Sequence, residues 1–125
     1  MKERKMVLPY GKVVWEPGEE ERGRFSLVGE LDHHSVKVIR EILDEKLIEY
    51  RPETVVLDLS EVSFADSAGL GLILGRYTRI RDYGGKLILT GVSRELMKIL
   101  RLAGADRFLT IEPAPTGGRG KKVTA

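Results

Sequence analysis

The run Thr54-Val55-Val56-Leu57-Asp58-Leu59 constrains this chain more than any other segment. It is too short for a helix of useful length, rich in β-branched residues, and almost continuously apolar. Those properties predict a strand buried on both faces, as in a parallel sheet. A helical pattern follows from Ser67 or Ala68 to Asp82, with Leu70, Ile73, Leu74, Tyr77 and Ile80 as its expected buried face. Gly84-Gly85 stops it, and Lys86-Leu87-Ile88-Leu89-Thr90 reads as the next strand. Ser93 caps a third helix that carries Leu96, Met97, Ile99 and Leu100 and ends at Gly104. Phe108 to Ile111 completes the pattern as a short strand. Alternating strands and helices of this kind predict parallel strands joined by crossovers.

The first half adds a hairpin and a helix. Val13-Val14-Trp15 and Phe25-Ser26-Leu27-Val28 read as strands around the turn Pro17 to Gly23. Glu16, Glu19, Glu20 and Glu21 in that region are expected to be solvated turn charges. Helical spacing of Val36, Ile39, Leu43 and Leu47 predicts a helix from about His33 to Tyr50, with Asp32 as its N-cap. Arg51-Pro52 ends it, because a residue before proline is pushed out of the helical region.

A chain of 125 residues, 42% hydrophobic and 32% charged, suits one soluble domain with its own core. A net charge of +2 is too small to indicate direct nucleic-acid binding. The chain has no cysteine, which excludes disulfides, thiol catalysis and cysteine-ligated metals. No apolar run approaches the ~20 residues of a membrane span, and none follows the basic start as in a signal peptide. A cytoplasmic location is expected. The stretch Pro113 to Ala125, rich in glycine, proline and basic residues, is expected to be disordered.

Between the Thr54 strand and the Ser67 helix lie Phe64-Ala65-Asp66-Ser67-Ala68-Gly69-Leu70-Gly71. An acid, a hydroxyl and two glycines thus meet at a helix N-terminus. The hydroxyl of Ser67 could serve there as a cap, a nucleophile or a phosphate acceptor. The segment has neither a dinucleotide fingerprint nor a Walker pattern, and the glycine two before the serine of a hydrolase elbow is missing. His33 and His34 are the only histidines, and nothing in the sequence places either beside Ser67 as a base. Adjacent on a helix, they also lack the spacing of a metal-binding pair. No catalytic residue, cofactor or metal site is expected. Glycines cost ~1 kcal/mol each inside a helix, so Gly69 and Gly71 point to close approach by a backbone, either a partner's or the protein's own strand.

Phe64 to Gly71, continuing as Leu72-Ile73-Leu74-Gly75-Arg76-Tyr77, resembles the signature of the STAS domain of bacterial anti-sigma factor antagonists. Gly29-Glu30-Leu31-Asp32-His33-His34-Ser35 is similar to the segment that opens the first long helix in the sporulation branch of that family. Asp58-Leu59-Ser60 and Gly84-Gly85-Lys86 add to the resemblance, which spans about residues 10 to 112. It implies an α/β STAS fold, a mixed sheet of four to five strands flanked by helices. Residues 1–9 are then an N-terminal extension and 113–125 a basic tail.

The resemblance also implies a regulatory binding protein in place of an enzyme. An unphosphorylated antagonist of this family binds an anti-sigma factor, which releases its sigma factor. The anti-sigma factor is also a serine kinase that inactivates the antagonist by phosphorylation, and a serine phosphatase restores it. The phosphorylated serine corresponds to Ser67. Asp66, Ala68, Gly69 and Leu70 around it, with Glu30 and Asp32 on the neighbouring loop, are the expected partner contacts. The family often has a second serine where this chain has Ala68. A STAS accessory subunit of a transport or stress-sensing assembly is the alternative.

Overall fold

The computed structural model describes residues 6–7, 13–19 and 21–113. The elements run β1 (Met6–Val7), β2 (Val13–Pro17), β3 (Arg22–Leu31), α1 (Ser35–Tyr50), β4 (Thr54–Ala65), α2 (Ser67–Asp82), β5 (Lys86–Thr90), α3 (Arg94–Leu102) and β6 (Thr110–Glu112). A single 3-10 turn, Ala105–Arg107, precedes β6. The strands form one mixed sheet in the order β1-β2-β3-β4-β5-β6. The first three are antiparallel neighbours, and β3, β4, β5 and β6 run parallel. This is the expected α/β mixed sheet with three helices, extended at its edge by the two-residue β1. The expected disordered tail lies outside the described residues apart from Pro113, as do Glu20 and most of residues 1–9.

The sheet does not bury both of its faces along β4. Val55, Leu57 and Leu59 are buried, whereas Val56 and Asp58 between them are only half-buried. The buried set joins Val13, Trp15, Phe25, Leu27 and Leu31 from the hairpin strands to Ile39, Leu43 and Leu47 of α1 in one core. On the opposite face, Asp58 pairs with Arg24, whose Nη2 lies 2.5 Å from Oδ2. An apolar run whose one polar member must reach a cation therefore alternates instead of sinking whole. At ~25 cal/mol per Å² the buried leucines, valines and aromatics on the covered face supply the main driving force.

Helix α2 is rotated from the expected phase. Gly69, Leu72, Ile73, Arg76 and Ile80 form its buried face, while Leu70, Leu74 and Tyr77 pack at the margins. The cause lies at its first turn. A Cβ on Gly69 would stand 3.2 Å from Leu31 Cβ and 3.3 Å from Ala65 Cβ, so this glycine is where the helix meets the sheet. The remaining stripe follows at three- and four-residue intervals.

Several boundaries shifted, while the end of α1 kept its place. β4 runs on past Leu59 to Ala65, and α1 begins at Ser35 instead of His33. The last strand occupies Thr110–Glu112, because Phe108 and Leu109 still belong to the exit of the 3-10 turn. Arg51 leaves α1 through the left-handed region, with φ 43°, and donates its amide to Leu47 O. The residue before proline thus escapes the right-handed helix as expected, by an uncommon route for a non-glycine.

Candidate functional site

Ser67 opens α2, immediately beyond the end of β4. Asp66 holds an extended backbone and accepts the Ala68 amide on Oδ1 at 2.8 Å, so the acid is the N-cap. This removes the plainest role for Ser67. Its hydroxyl has no hydrogen-bond partner among the described residues, and the residue is exposed. The rings of His33 and His34 pack on one another at 4.2 Å, and neither is hydrogen-bonded to Ser67. No side chain among the described residues is hydrogen-bonded to this hydroxyl as a base.

The neighbouring loop is bound to the turn by the parallel pairing of β3 with β4. Glu30 lies opposite Phe64 and Leu31 opposite Ala65. The Asp66 amide then donates to Leu31 O at 3.3 Å. Both strands end here, so the loops entering α1 and α2 emerge side by side on one rim. Asp32 caps its own helix by accepting the amides of His34 (3.0 Å) and Ser35 (2.9 Å). Ser35 reciprocates, its hydroxyl accepting the Asp32 amide at 3.1 Å and donating to Glu30 O at 2.5 Å. The Ser35 amide above all, with the Ser35 hydroxyl and the His34 amide and charge, holds the Asp32 carboxyl below its ordinary range against an opposing desolvation.

Of the expected partner contacts, Glu30 is exposed, and Asp32, Asp66, Ala68 and Leu70 are half-buried on or beside this rim. Gly69 is the buried member of that set. It is buried against Leu31 and Ala65 and serves helix-to-sheet packing, so the approaching backbone is the protein's own. Gly71 is the opposite case: exposed, with nothing within 4 Å of a Cβ built on it.

Phe64 is the surface residue that the sequence did not single out. It is 53% exposed at the end of β4, beside Ser67. The register between β3 and β4 slips twice, between Ser26/Val28 and between Gly29/Glu30, leaving extra residues on β4. Each bulge interrupts the in-out alternation, so Ser60 and Glu61 are exposed together, and so are Ser63 and Phe64. The only sequence signal was that Ser60-Glu61 and Ser63 break the apolar pattern of the strand. A groove of about 350 Å³, lined by Val62, Ser63, Phe64, Ala65, Ser93 and Glu95, runs from this point towards the start of α3. Glu30, Glu61 and Glu95, all exposed, make the surroundings acidic.

Among the described residues no group of three or more His, Cys, Asp or Glu could hold a metal ion. No helix among them is long and apolar enough to cross a membrane.

Comparison with known proteins agrees with this geometry. Residues 19–116 match the STAS domain family. The anti-sigma F factor antagonist of Paenibacillus polymyxa is 38% identical over 85 residues, covering 68% of this chain and 73% of that protein. Among solved structures, the anti-sigma factor antagonist SpoIIAA in its unphosphorylated form superposes with a TM-score of 0.67 at 28% identity, over 82% of this chain and 89% of that one. The phosphorylated form of the Bacillus cell fate determinant SpoIIAA gives a TM-score of 0.68 at 28% identity, over 84% and 93%. A signature turn that displays an unbonded serine, on a sheet with this strand order and with these relatives, places the chain in the STAS-domain family, among its anti-sigma factor antagonists.

Proposed function

We propose that the unmodified protein docks on an anti-sigma factor through the rim around Ser67, so that the sigma factor is released, and that phosphorylation of Ser67 by the serine kinase activity of the same partner ends the interaction. The Ser67 oxygen attacks the γ-phosphorus of ATP and forms a new O–P bond. The bond from that phosphorus to the bridging oxygen breaks, ADP leaves with its electron pair, and the serine proton passes to a base on the kinase. A serine phosphatase hydrolyses the ester and restores the active form. The setting is the cytoplasm, where ATP is available.

What carries this reading is the division of labour at the turn: Asp66 caps α2, and the Ser67 hydroxyl is left exposed and unbonded. A kinase can take it without first breaking the fold. The helix N-terminus tolerates the added charge of about −1.5 to −2. The Ala68 amide is already taken by Asp66, however, so the phosphate stands out from the surface instead of folding onto it. It adds bulk and negative charge to a rim that already carries Glu30, Asp32 and Asp66. A partner fitted to the small groups of the unmodified turn is excluded by the bulk of the phosphate and by the cost of desolvating its charge in a close contact, without a change of fold. Phe64 and Leu70 supply the apolar part of the contact, and Glu30 and Asp32 its charged edge.

The test is incubation with the cognate anti-sigma kinase and ATP, followed by mapping of the phosphosite. One phosphate on Ser67, absent from Ser67→Ala, is expected. Label on another residue, or undiminished label in Ser67→Ala, would overturn the assignment.

A further inference from the structure

A second polar feature lies away from the switch, in the cleft between α1 and α2. Arg76 projects from the buried face of α2 and is only 8% exposed. Its Nε lies 3.0 Å from Asp44 Oδ1, and the Nε of Arg79 lies 3.1 Å from the same oxygen. One carboxylate oxygen is thus shared by two guanidinium groups. Neither contact is aligned as a hydrogen bond: Arg76 Nε, Arg76 Nη1 and Asp44 Oδ1 are all buried without a hydrogen-bond partner. A buried cation with unmatched donors in a native structure calls for an explanation.

Arg76 lines a cleft of about 430 Å³. Arg51 and Arg79 line it too, with Asp82 as the one acid on its wall and Leu47 and Ile48 as its apolar side. The Tyr83 hydroxyl is spent on Pro52 O, at 2.7 Å, and the Arg51 guanidinium lies over the Tyr83 ring at 5.2 Å. The cleft sits at the C-terminal ends of both helices, where the dipoles favour cations. Terminal carbonyls there are already engaged, since Leu47 O accepts from Arg51 and Ile80 O from Gly85. Burial depresses the Arg76 pKa, Asp44 only partly offsets this, and Arg79 and Arg40 depress it further. Cations outnumber the anions that could satisfy them.

We propose that this cleft binds a small organic oxyanion, a phosphate monoester or a carboxylate, held by Arg76, Arg79 and Arg51. Planar guanidinium groups match a two-oxygen acceptor in a fork. The volume exceeds what a bare ion needs and falls in the range of small-ligand sites. Leu47 and Ile48 accommodate an apolar body. Gly75, on the same wall, has nothing within 4 Å of the place its Cβ would occupy, which leaves the cleft open.

The test is NMR titration of the full chain, reading backbone amides and arginine Nε–H resonances, with phenyl phosphate, benzoate and inorganic phosphate as probes. Saturable shifts at Gly75, Arg76, Thr78 and Arg79 are expected with phenyl phosphate or benzoate, and the tighter of the two identifies the head group. Arg79→Gln, at a largely solvent-facing position, should weaken binding about tenfold, equivalent to about 1.4 kcal/mol. Gly75→Leu, which fills the cleft and leaves every arginine in place, should abolish it. Inorganic phosphate binding as tightly as phenyl phosphate would overturn the organic part of the proposal. Lack of saturation at about 10 mM, shifts centred on Ser67, or unchanged binding in both variants would overturn all of it.

Discussion

The main-chain amide of Asp66 donates to the carbonyl of Leu31 at 3.3 Å, tying the Ser67 turn to the end of the neighbouring strand. Because Asp66 also caps α2 through its side chain, one residue joins the helix, the β4 terminus and the rim shared with Glu30 and Asp32. The capping of the turn therefore resides in Asp66, and the Ser67 hydroxyl takes no part in it.

Asp66→Ala is expected to lower stability by about 1 kcal/mol, the usual value of an N-cap. Asp66→Asn retains an acceptor and should recover most of it. Ser67→Ala should stay within about 0.5 kcal/mol of the parent, as an exposed residue without a bond does. Urea denaturation of the three variants checks the ranking. A Ser67→Ala loss equal to that of Asp66→Ala would return the capping role to the serine.

Gly69 and Gly71 should respond in opposite directions to alanine. At Gly69 the new methyl meets Leu31 and Ala65 at 3.2 and 3.3 Å, and a net loss of about 1 kcal/mol is expected after the gain in helix propensity. At Gly71 the methyl meets nothing, so a gain of up to about 1 kcal/mol is expected. Thermal unfolding distinguishes them. If the partner packs closely on Gly71, the stabilised variant will also bind more weakly.

Phe64→Ala should cost only about 1 kcal/mol of stability, since about half of the residue faces solvent. Its affinity for the anti-sigma factor should fall about tenfold, as expected for an aromatic anchor at an interface. Calorimetric titration against the partner measures this directly. Unaltered affinity would place the apolar contact elsewhere on the rim.

Ser67→Asp adds negative charge without the full size of a phosphate, and should bind the anti-sigma factor more weakly than the parent protein. Glu30→Lys tests the charged edge and keeps the Asp32 cap intact. It should weaken binding through the loss of charge complementarity, in proportions that shrink as salt is raised. Equal affinities for parent and Glu30→Lys at low salt would remove Glu30 from the interface.

Stability should carry an acid limb assignable to Asp58. Burial pushes its carboxyl up, but the Ser60 amide and hydroxyl and the Arg24 guanidinium together hold it below the ordinary value of 3.8. A carboxyl lowered in the folded state stabilises fully above its unfolded pKa, and the contribution disappears as pH falls through the lower folded value. Asp58→Asn should therefore cost about 1 kcal/mol at neutral pH, with the gap to the parent closing below pH 3.8. A gap that stays constant down the acid limb would contradict the assignment.

Local pattern alone announced most of the elements. Ile39, Leu43 and Leu47 recur at helical spacing and are buried as that spacing requires. Ser93 caps α3 by accepting the Leu96 amide at 3.0 Å. The boundaries that moved did so for reasons local pattern does not contain. β4 is extended to Ala65 by pairing with β3 through two bulges, and polar Ser60, Glu61 and Ser63 give no local cause to continue a strand.

The site divides along the same line. Sequence by itself determined that an acid and a hydroxyl open a helix directly after a strand, with glycines in the first turn, because chain neighbours stay neighbours in any fold. Asp66 caps the helix through a local contact with Ala68, and tertiary structure decided the rest. It turned Gly69 inward and Gly71 outward, rotated α2 until Arg76 lay over Asp44, and brought Glu30 beside Phe64. Each of these depends on the phase of a helix against a sheet or the register between two strands, and both are set by contacts between residues far apart in the chain.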